Sequence, residues 1–213
     1  MVDRFKDALF TPGEVAHHLV IPPSTVYGWL ADDAPGGPLV HRVEPERRGR
    51  TSVPFIAMVE AYVLRVLRTD LHFSKQRIRQ AADELRREFA TPYALASSKI
   101  ATDGIDIFLQ HSDGEFARVG DRQMPVREVI EGSLTYIGWD EDGYANRLRL
   151  RRFPDAAPVI IDPRFSWGDP VVERNKVQVQ AIVDLWRAGE SLDVVAENYG
   201  LTRAEAEAVC RAA

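Results

Sequence analysis

Hydrophobic positions recur at helical spacing through the first 90 residues, give way to extended runs in the middle of the chain, and return to helical spacing at its end. In the opening stretch Thr11 is a natural N-cap, Pro12 suits the first helical position, and Val15, Ala16 and Leu19 fall on one face. Pro22 and Pro23 cannot continue that helix, but Pro23 or Ser24 can open another, with Val26, Trp29 and Leu30 inward and Ser24, Thr25, Tyr27 and Gly28 outward. Two longer helices are expected after it. One runs over 55–68, with Phe55, Met58, Val59, Tyr62, Val63, Val66 and Leu67 on its face, and one over 74–89, with Ile78, Ala81, Ala82, Leu85 and Phe89.

Past Pro92 the pattern predicts strands at 105–110 and 115–119 around a Ser112-Asp113-Gly114 turn, then a second hairpin, 135–139 with 145–151, around Asp140-Glu141-Asp142-Gly143. A short strand at 159–161 stops at Pro163. Helical spacing resumes with Ile182, Val183, Leu185 and Trp186, ending at Gly189. Ser191 then caps a helix broken by Gly200, and Thr202 caps a final one. The expected fold class is therefore α+β: a winged helix-turn-helix at 1–92, a small antiparallel β connector at 93–157, and a helical unit at 158–213.

The first two helices have the character of a DNA reader, a short helix showing small hydroxyls and a tyrosine. The bland alternative is a two-helix corner of any helical domain. After PGGPLV, the run HRVEPERRGRTSVPF carries Arg42, Arg47, Arg48 and Arg50 around Gly49, a hairpin whose guanidiniums suit phosphates or a minor groove. Glu44 and Glu46 halve its charge, so a solvated loop is the competing meaning. The expected DNA contacts are Ser24, Thr25, Tyr27, Gly28, Arg42, Arg47, Arg48 and Arg50. Farther on, Arg147, Arg149, Arg151 and Arg152 alternate with Leu148 and Leu150, giving an arginine face for a carboxylate-rich partner or nucleic acid, or a solvated edge that blocks aggregation. The final helix carries Glu205 and Glu207, which oppose phosphates and favour protein contact or dimerisation over a second DNA reader.

The net charge of −5 is unevenly shared. Residues 1–95 hold 13 Lys and Arg against 12 Asp and Glu, and residues 96–213 hold 14 against 20. A weakly positive reader has few phosphate contacts, so tight binding calls for a homodimer or a partner subunit. The single cysteine, Cys210, excludes an internal disulfide framework. No apolar run approaches the roughly 20 residues of a membrane span, residues 1–7 are charged where a leader is apolar, and a cytoplasmic location is expected. Catalysis is not expected: His17 and His18 are adjacent, and neither a glycine-rich phosphate loop nor a metal-ligand spacing occurs, so no cofactor is assigned.

The head resembles the DNA-binding domain of MerR-like regulators through Phe10-Thr11-x-x-Glu14-Val15-Ala16, Pro23-Ser24-Thr25-Val26-x-x-Trp29, the arginine wing and Phe73-Ser74-x-x-x-Ile78-Arg79. Those regulators usually have a glycine in the turn where this chain has Val20-Ile21-Pro22. The tail resembles the domain of unknown function 433 of VapB-type antitoxins through Ile161-Asp162-Pro163-Arg164, Gly168-x-Pro170-Val171-Val172, Ala188-Gly189-Glu190-Ser191 and Leu201-Thr202. The resemblance implies an antitoxin of a type II toxin-antitoxin system. Such a protein neutralises a PIN-domain ribonuclease toxin and binds double-stranded promoter DNA as a homodimeric autorepressor. Arg147, Arg149, Arg151 and Arg152 are then the toxin-binding candidates. The competing reading is a stand-alone MerR-like regulator that senses a small ligand through Phe108, Phe116, Tyr136 and Trp139.

Overall fold

The computed structural model describes residues 2–31, 37–44, 51–112, 114, 116–119 and 122–213, of which 116–119, 122 and 123 are described by backbone alone. The chain divides into two compact units, Asp3–Asn146 and Arg147–Ala213, the second including Val2. Mixed α and β structure runs through the chain, as the periodicity predicts.

The first unit opens with α1 (Pro12–Leu19) and α2 (Pro23–Leu30). Thr11 and Glu14 form a reciprocal capping box, with the Glu14 N–H donating to Thr11 Oγ1 at 3.2 Å and the Thr11 N–H to Glu14 Oε2 at 2.7 Å. Between the helices Val20 takes the left-handed conformation, φ 54° and ψ 54°, and is 66% exposed. A β-branched residue is strained in that conformation.

At the centre lies α3 (Phe55–Arg65), which continues into a π-helical turn over Val66–Asp70. Its sequence predicts one buried face, yet Phe55 through Leu64 are all buried, Glu60 among them. A helix apolar on nearly every side belongs in the middle of a domain. α4 (Lys75–Phe89) buries Ile78, Ala81, Ala82, Leu85 and Phe89 as expected, capped by Ser74.

The segment expected as a strand at 105–110 is instead α5 (Gly104–Gln110), with Ile105, Ile107 and Phe108 buried. A Cβ on Gly104 would stand 3.1 Å from the Ile100 side chain and 3.2 Å from that of Leu85, so the helix start fits closely against its neighbours. The hairpin partner of the return strand is therefore β2 rather than 105–110: β1 (Phe116–Val119) pairs antiparallel with β2 (Arg122–Pro125). α6 (Val126–Leu134) follows, burying Val126, Val129, Ile130 and Leu134.

β3 (Ile137–Trp139) and β4 (Ala145–Arg149) flank the acidic tip, a turn closed by the Asp140 N–H donating to the Tyr144 carbonyl at 2.9 Å. Arg4 bridges its Asp140 and Asp142 carboxylates. In the second unit the end of β4 pairs antiparallel with β5 (Val159–Ile161), and β5 pairs antiparallel with β6 (Val171–Val172). Leu148 stands opposite Ile161 and Ile160 opposite Val171, all buried.

Three helices close the second unit: α7 (Val179–Arg187), α8 (Leu192–Tyr199) and α9 (Arg203–Ala212). Ser191 and Thr202 cap as predicted, and Gly200 ends α8 in the left-handed conformation at φ 61°. Glu205 completes a capping box with Thr202 and accepts from Arg174 at 3.2 Å, which holds its carboxyl below the usual carboxylate range. Its charge thus has a structural use. Cys210 lies buried on α9, and burial pushes its thiol up.

Candidate nucleic-acid and partner-binding sites

Apolar contacts between α1 and α2 decide what the second helix shows. Val15, Ala16 and Leu19 bury against the same core as Val26, Trp29 and Leu30. Ser24, Tyr27 and Gly28 are left exposed, Tyr27 by 59%, and Thr25 is half-buried. A Cβ built on Gly28 meets nothing within 4 Å. No neighbouring helix among the described residues therefore demands glycine at that place.

The wing is anchored to this pair from two directions. The Leu39 and Val40 N–H groups donate to the Trp29 carbonyl at 2.8 and 3.2 Å, and the Phe10 and Val53 backbones exchange hydrogen bonds at 3.0 Å. The Val43 N–H donates to the Ser52 carbonyl at 2.8 Å, which forms the hairpin stem. Arg42 is exposed on that stem. Arg47, Arg48 and Arg50 lie outside the described residues.

Sequence reasoning did not find the groove beside α2, of about 360 Å³, lined by Ile21, Pro22, Thr25, Trp29, Arg68, Thr69 and His72. The π-helical turn supplies Arg68 and Thr69. Arg68 donates to the Phe73 carbonyl at 2.9 Å, and Arg65 Nε, at the end of α3, donates to the Leu19 carbonyl at 3.2 Å, tying α3 to the end of α1. The signal available in the sequence was the basic pair Arg65 and Arg68 beside Asp70, without a period of its own.

Below the wing, Arg86 donates to the Leu39 carbonyl at 2.7 Å and the His41 N–H donates to Glu60 Oε2 at 2.8 Å. Burial first, and Arg86 second, lower the His41 pKa, so its imidazole stays neutral near pH 7. Burial pushes the Glu60 carboxyl up to about 7, opposed by the His41 hydrogen bond and by Arg86.

In the second unit, β4 ends at Arg149, so the expected alternation extends over Arg147 and Arg149 only. Arg151 and Arg152 stand in the turn that follows. Arg147 pairs with Glu173 at 2.8 Å and Arg149 with Asp155 at 2.6 Å, both at partly exposed positions. Arg152 is half-buried over the Phe153 ring at 4.8 Å, and burial lowers its pKa. Beyond β5, Arg164 clasps the buried Asp162 through Nε at 3.0 Å and Nη2 at 2.7 Å, and Trp167 projects into solvent, 76% exposed. Neither Arg164 nor Trp167 is among the partner residues expected from the sequence, whose periodicity does not register single exposed side chains in a turn.

The aromatic residues expected to line a ligand pocket are spread apart in role. Phe108 is buried beside a cavity of about 10 Å³, Tyr136 leans on Tyr62 at 6.5 Å between ring centroids, and Trp139 is half-buried on β3. That cavity is far below the ~300 Å³ of a small-ligand site. The Phe116 side chain lies outside the described residues.

Two family models match the chain. Residues 8–82 match the family described as "Putative DNA-binding HTH domain", and residues 159–211 match DUF433, a protein family of unknown function. Among curated proteins, the "Putative antitoxin VapB45" of Mycobacterium tuberculosis is 30% identical over an alignment covering 93% of this chain and 91% of that one. Among solved structures, the X-ray crystal structure of Rv2018 from Mycobacterium tuberculosis superposes with a TM-score of 0.81 at 29% identity, covering 97% of this chain and 99% of that one. With a helix-turn-helix head, a DUF433 tail and a relative that matches both along nearly its whole length, the chain belongs to the VapB45 antitoxin family.

Proposed function

We propose that this protein is the antitoxin of a type II toxin-antitoxin pair, neutralising a PIN-type ribonuclease toxin and repressing its own promoter as a homodimer. The observation that carries the DNA half is the outer face of α2: Ser24, Tyr27 and Gly28 exposed, with the stem of an arginine-bearing hairpin fastened to Trp29 at the helix end. A helix so placed enters a major groove while Arg42, Arg47, Arg48 and Arg50 meet the backbone or minor groove. Thr25 and the Arg68, Thr69 and His72 groove extend that surface along the phosphates. A homodimer sets two such helices one DNA turn apart, which offsets the near-neutral charge of each head.

The toxin half rests on family membership and on the guanidiniums of Arg147, Arg149, Arg151 and Arg152. Exposed pairs such as Arg147 with Glu173 are worth less than about 1 kcal/mol, so exchanging one carboxylate for a toxin's costs little. Neither job needs a catalytic group or cofactor in this chain, and both belong in the cytoplasm.

The test is to co-express the chain with the product of its adjacent gene, isolate the complex, and assay ribonuclease activity with and without this chain. A stable complex that silences a nuclease and retards promoter DNA is the expected result. Nuclease activity unchanged by excess chain, or no complex, overturns the antitoxin reading.

A further inference from the structure

Trp167 has the highest exposure among the large hydrophobic side chains described, and its backbone adopts a conformation that side chains with a Cβ avoid. Ser166 and Trp167 follow one another at φ 48° and 55°, both left-handed. Strain of this kind persists only where the surroundings fix it, and it marks places where a side chain must point in a particular direction. Here the surroundings do fix it. The Phe165 N–H donates to the Asp162 carbonyl at 2.9 Å, and the Gly168 and Asp169 N–H groups donate to the Phe165 and Ser166 carbonyls at 3.0 Å. Asp162 accepts from the Arg164 backbone at 3.0 Å as well as from its guanidinium, and Arg164 and Lys176 bracket the Phe165 ring at 6.0 and 5.2 Å.

The outcome is a rigid loop showing an indole and a planar cation, for the Arg164 side chain remains 57% exposed despite its bonds. Tryptophan and arginine are the side chains that dominate the energetics of protein interfaces, and neither loses much freedom when already held. Charge selects the partner. Residues 147–176 contain seven Lys and Arg against four Asp and Glu, whereas 177–213 contain three against six. An acidic protein surface is matched to the first segment. A second copy of this chain could offer its acidic helices to this loop, but there Glu205, Asp193 and Glu207 already pair with Arg174, Arg203 and Arg211, so a separate acidic partner is the better match.

We propose that the 162–168 loop, through Trp167 and Arg164, docks an acidic, partly apolar face of the toxin. This rests on the antitoxin reading and moves the principal contact from the arginine strand to the turn after β5. The experiment uses the full chain with the product of the adjacent gene. Binding is titrated for the unaltered chain, Trp167→Ala, Trp167→Phe and Trp167→Gly, with hydrogen exchange on the free and bound chain and sedimentation of the chain alone. The expected result is at least about tenfold weaker binding for the alanine and glycine variants, near-normal binding for phenylalanine, melting temperatures no lower than that of the unaltered chain, and protection of 162–169 in the complex. Binding of Trp167→Ala within twofold of normal, with 162–169 unprotected, overturns the loop assignment and leaves the antitoxin reading standing. Self-association lost in Trp167→Ala assigns the loop to a second copy and also overturns it. Failure of the unaltered chain to bind overturns both.

Discussion

The backbone N–H of His41 donates to Oε2 of Glu60 at 2.8 Å, joining the root of the wing to the middle of the most deeply buried helix. Oε1 of the same carboxylate is buried with no hydrogen-bond partner among the described residues. Glu60 is 0% exposed, and its two neighbours of basic type are His41, which is neutral near pH 7, and Arg86. The Tyr93 pKa is raised by burial and then by Glu60.

A glutamate raised from 4.5 to about 7 on folding destabilises the native state wherever the unfolded chain ionises it first. Below pH 4.5 both states hold the proton and there is no penalty. Between there and about 7 the penalty grows, and above 7 it is constant, on the order of 3 kcal/mol. Glu60→Gln keeps an acceptor for His41 and removes the ionisation. The variant is expected to match the unaltered chain near pH 4.5 and to exceed it progressively up to pH 8. Urea midpoints across that range measure the difference, and a gap that stays constant with pH contradicts the assignment.

Val20 and Gly28 illustrate how a local rule is broken on each side of the helix turn. Val20→Gly places the residue without a Cβ at φ 54°, where valine is strained. Stability is expected to rise by about 1 kcal/mol, the steric relief exceeding the extra freedom glycine has when unfolded. Denaturant unfolding reads the sign directly, and a loss would mean that the Val20 side chain contributes more than its 66% exposure allows.

At Gly28 the opposite change is informative. A Cβ there meets no atom within 4 Å, so Gly28→Ala should stabilise the helix by roughly 0.5–1 kcal/mol. If the glycine serves close approach to DNA, promoter affinity falls at the same time. Stabilisation without any loss of affinity would remove Gly28 from the DNA contact set.

Arg164 and Arg147 differ in what their removal leaves behind. Arg164→Ala takes the guanidinium from the Asp162 carboxylate, whose side chain is 1% exposed, and leaves it the backbone N–H of residue 164, which should cost roughly 2 kcal/mol. Arg147→Ala breaks a partly exposed pair with Glu173 and should cost less than about 1 kcal/mol. Thermal unfolding of the two variants side by side checks the ranking.

The parts of this fold that sequence exposes are those written in short-range chemistry. Thr11, Ser191 and Thr202 each accept the predicted N-cap hydrogen bond, and Gly200 ends α8 in the left-handed region. The 105–110 segment misleads because Ile105, Asp106 and Ile107 alternate, and a seven-residue helix is too short for its period to outweigh that alternation. Its start packs closely on Ile100 and on Leu85, and Leu85 lies far enough upstream that a local window does not contain it. Glu60 was hidden for a related cause: a single carboxylate in FIAMVEAYVL reads as the edge of a solvent face unless the helix is known to be enclosed. The outward set of α2 was legible because Val26, Trp29 and Leu30 fix its rotation. The exposed Trp167 and the groove at Arg68 were not, since turns carry no period.

Cys210 offers a clock. As the chain's one thiol, 7% exposed on α9 and pushed toward its unreactive protonated form, it is shielded from alkylating reagents while the helix stays docked. The rate at which such a reagent consumes it therefore counts openings of the carboxyl-terminal helices, and a bound partner that slows those openings will lengthen the interval between them.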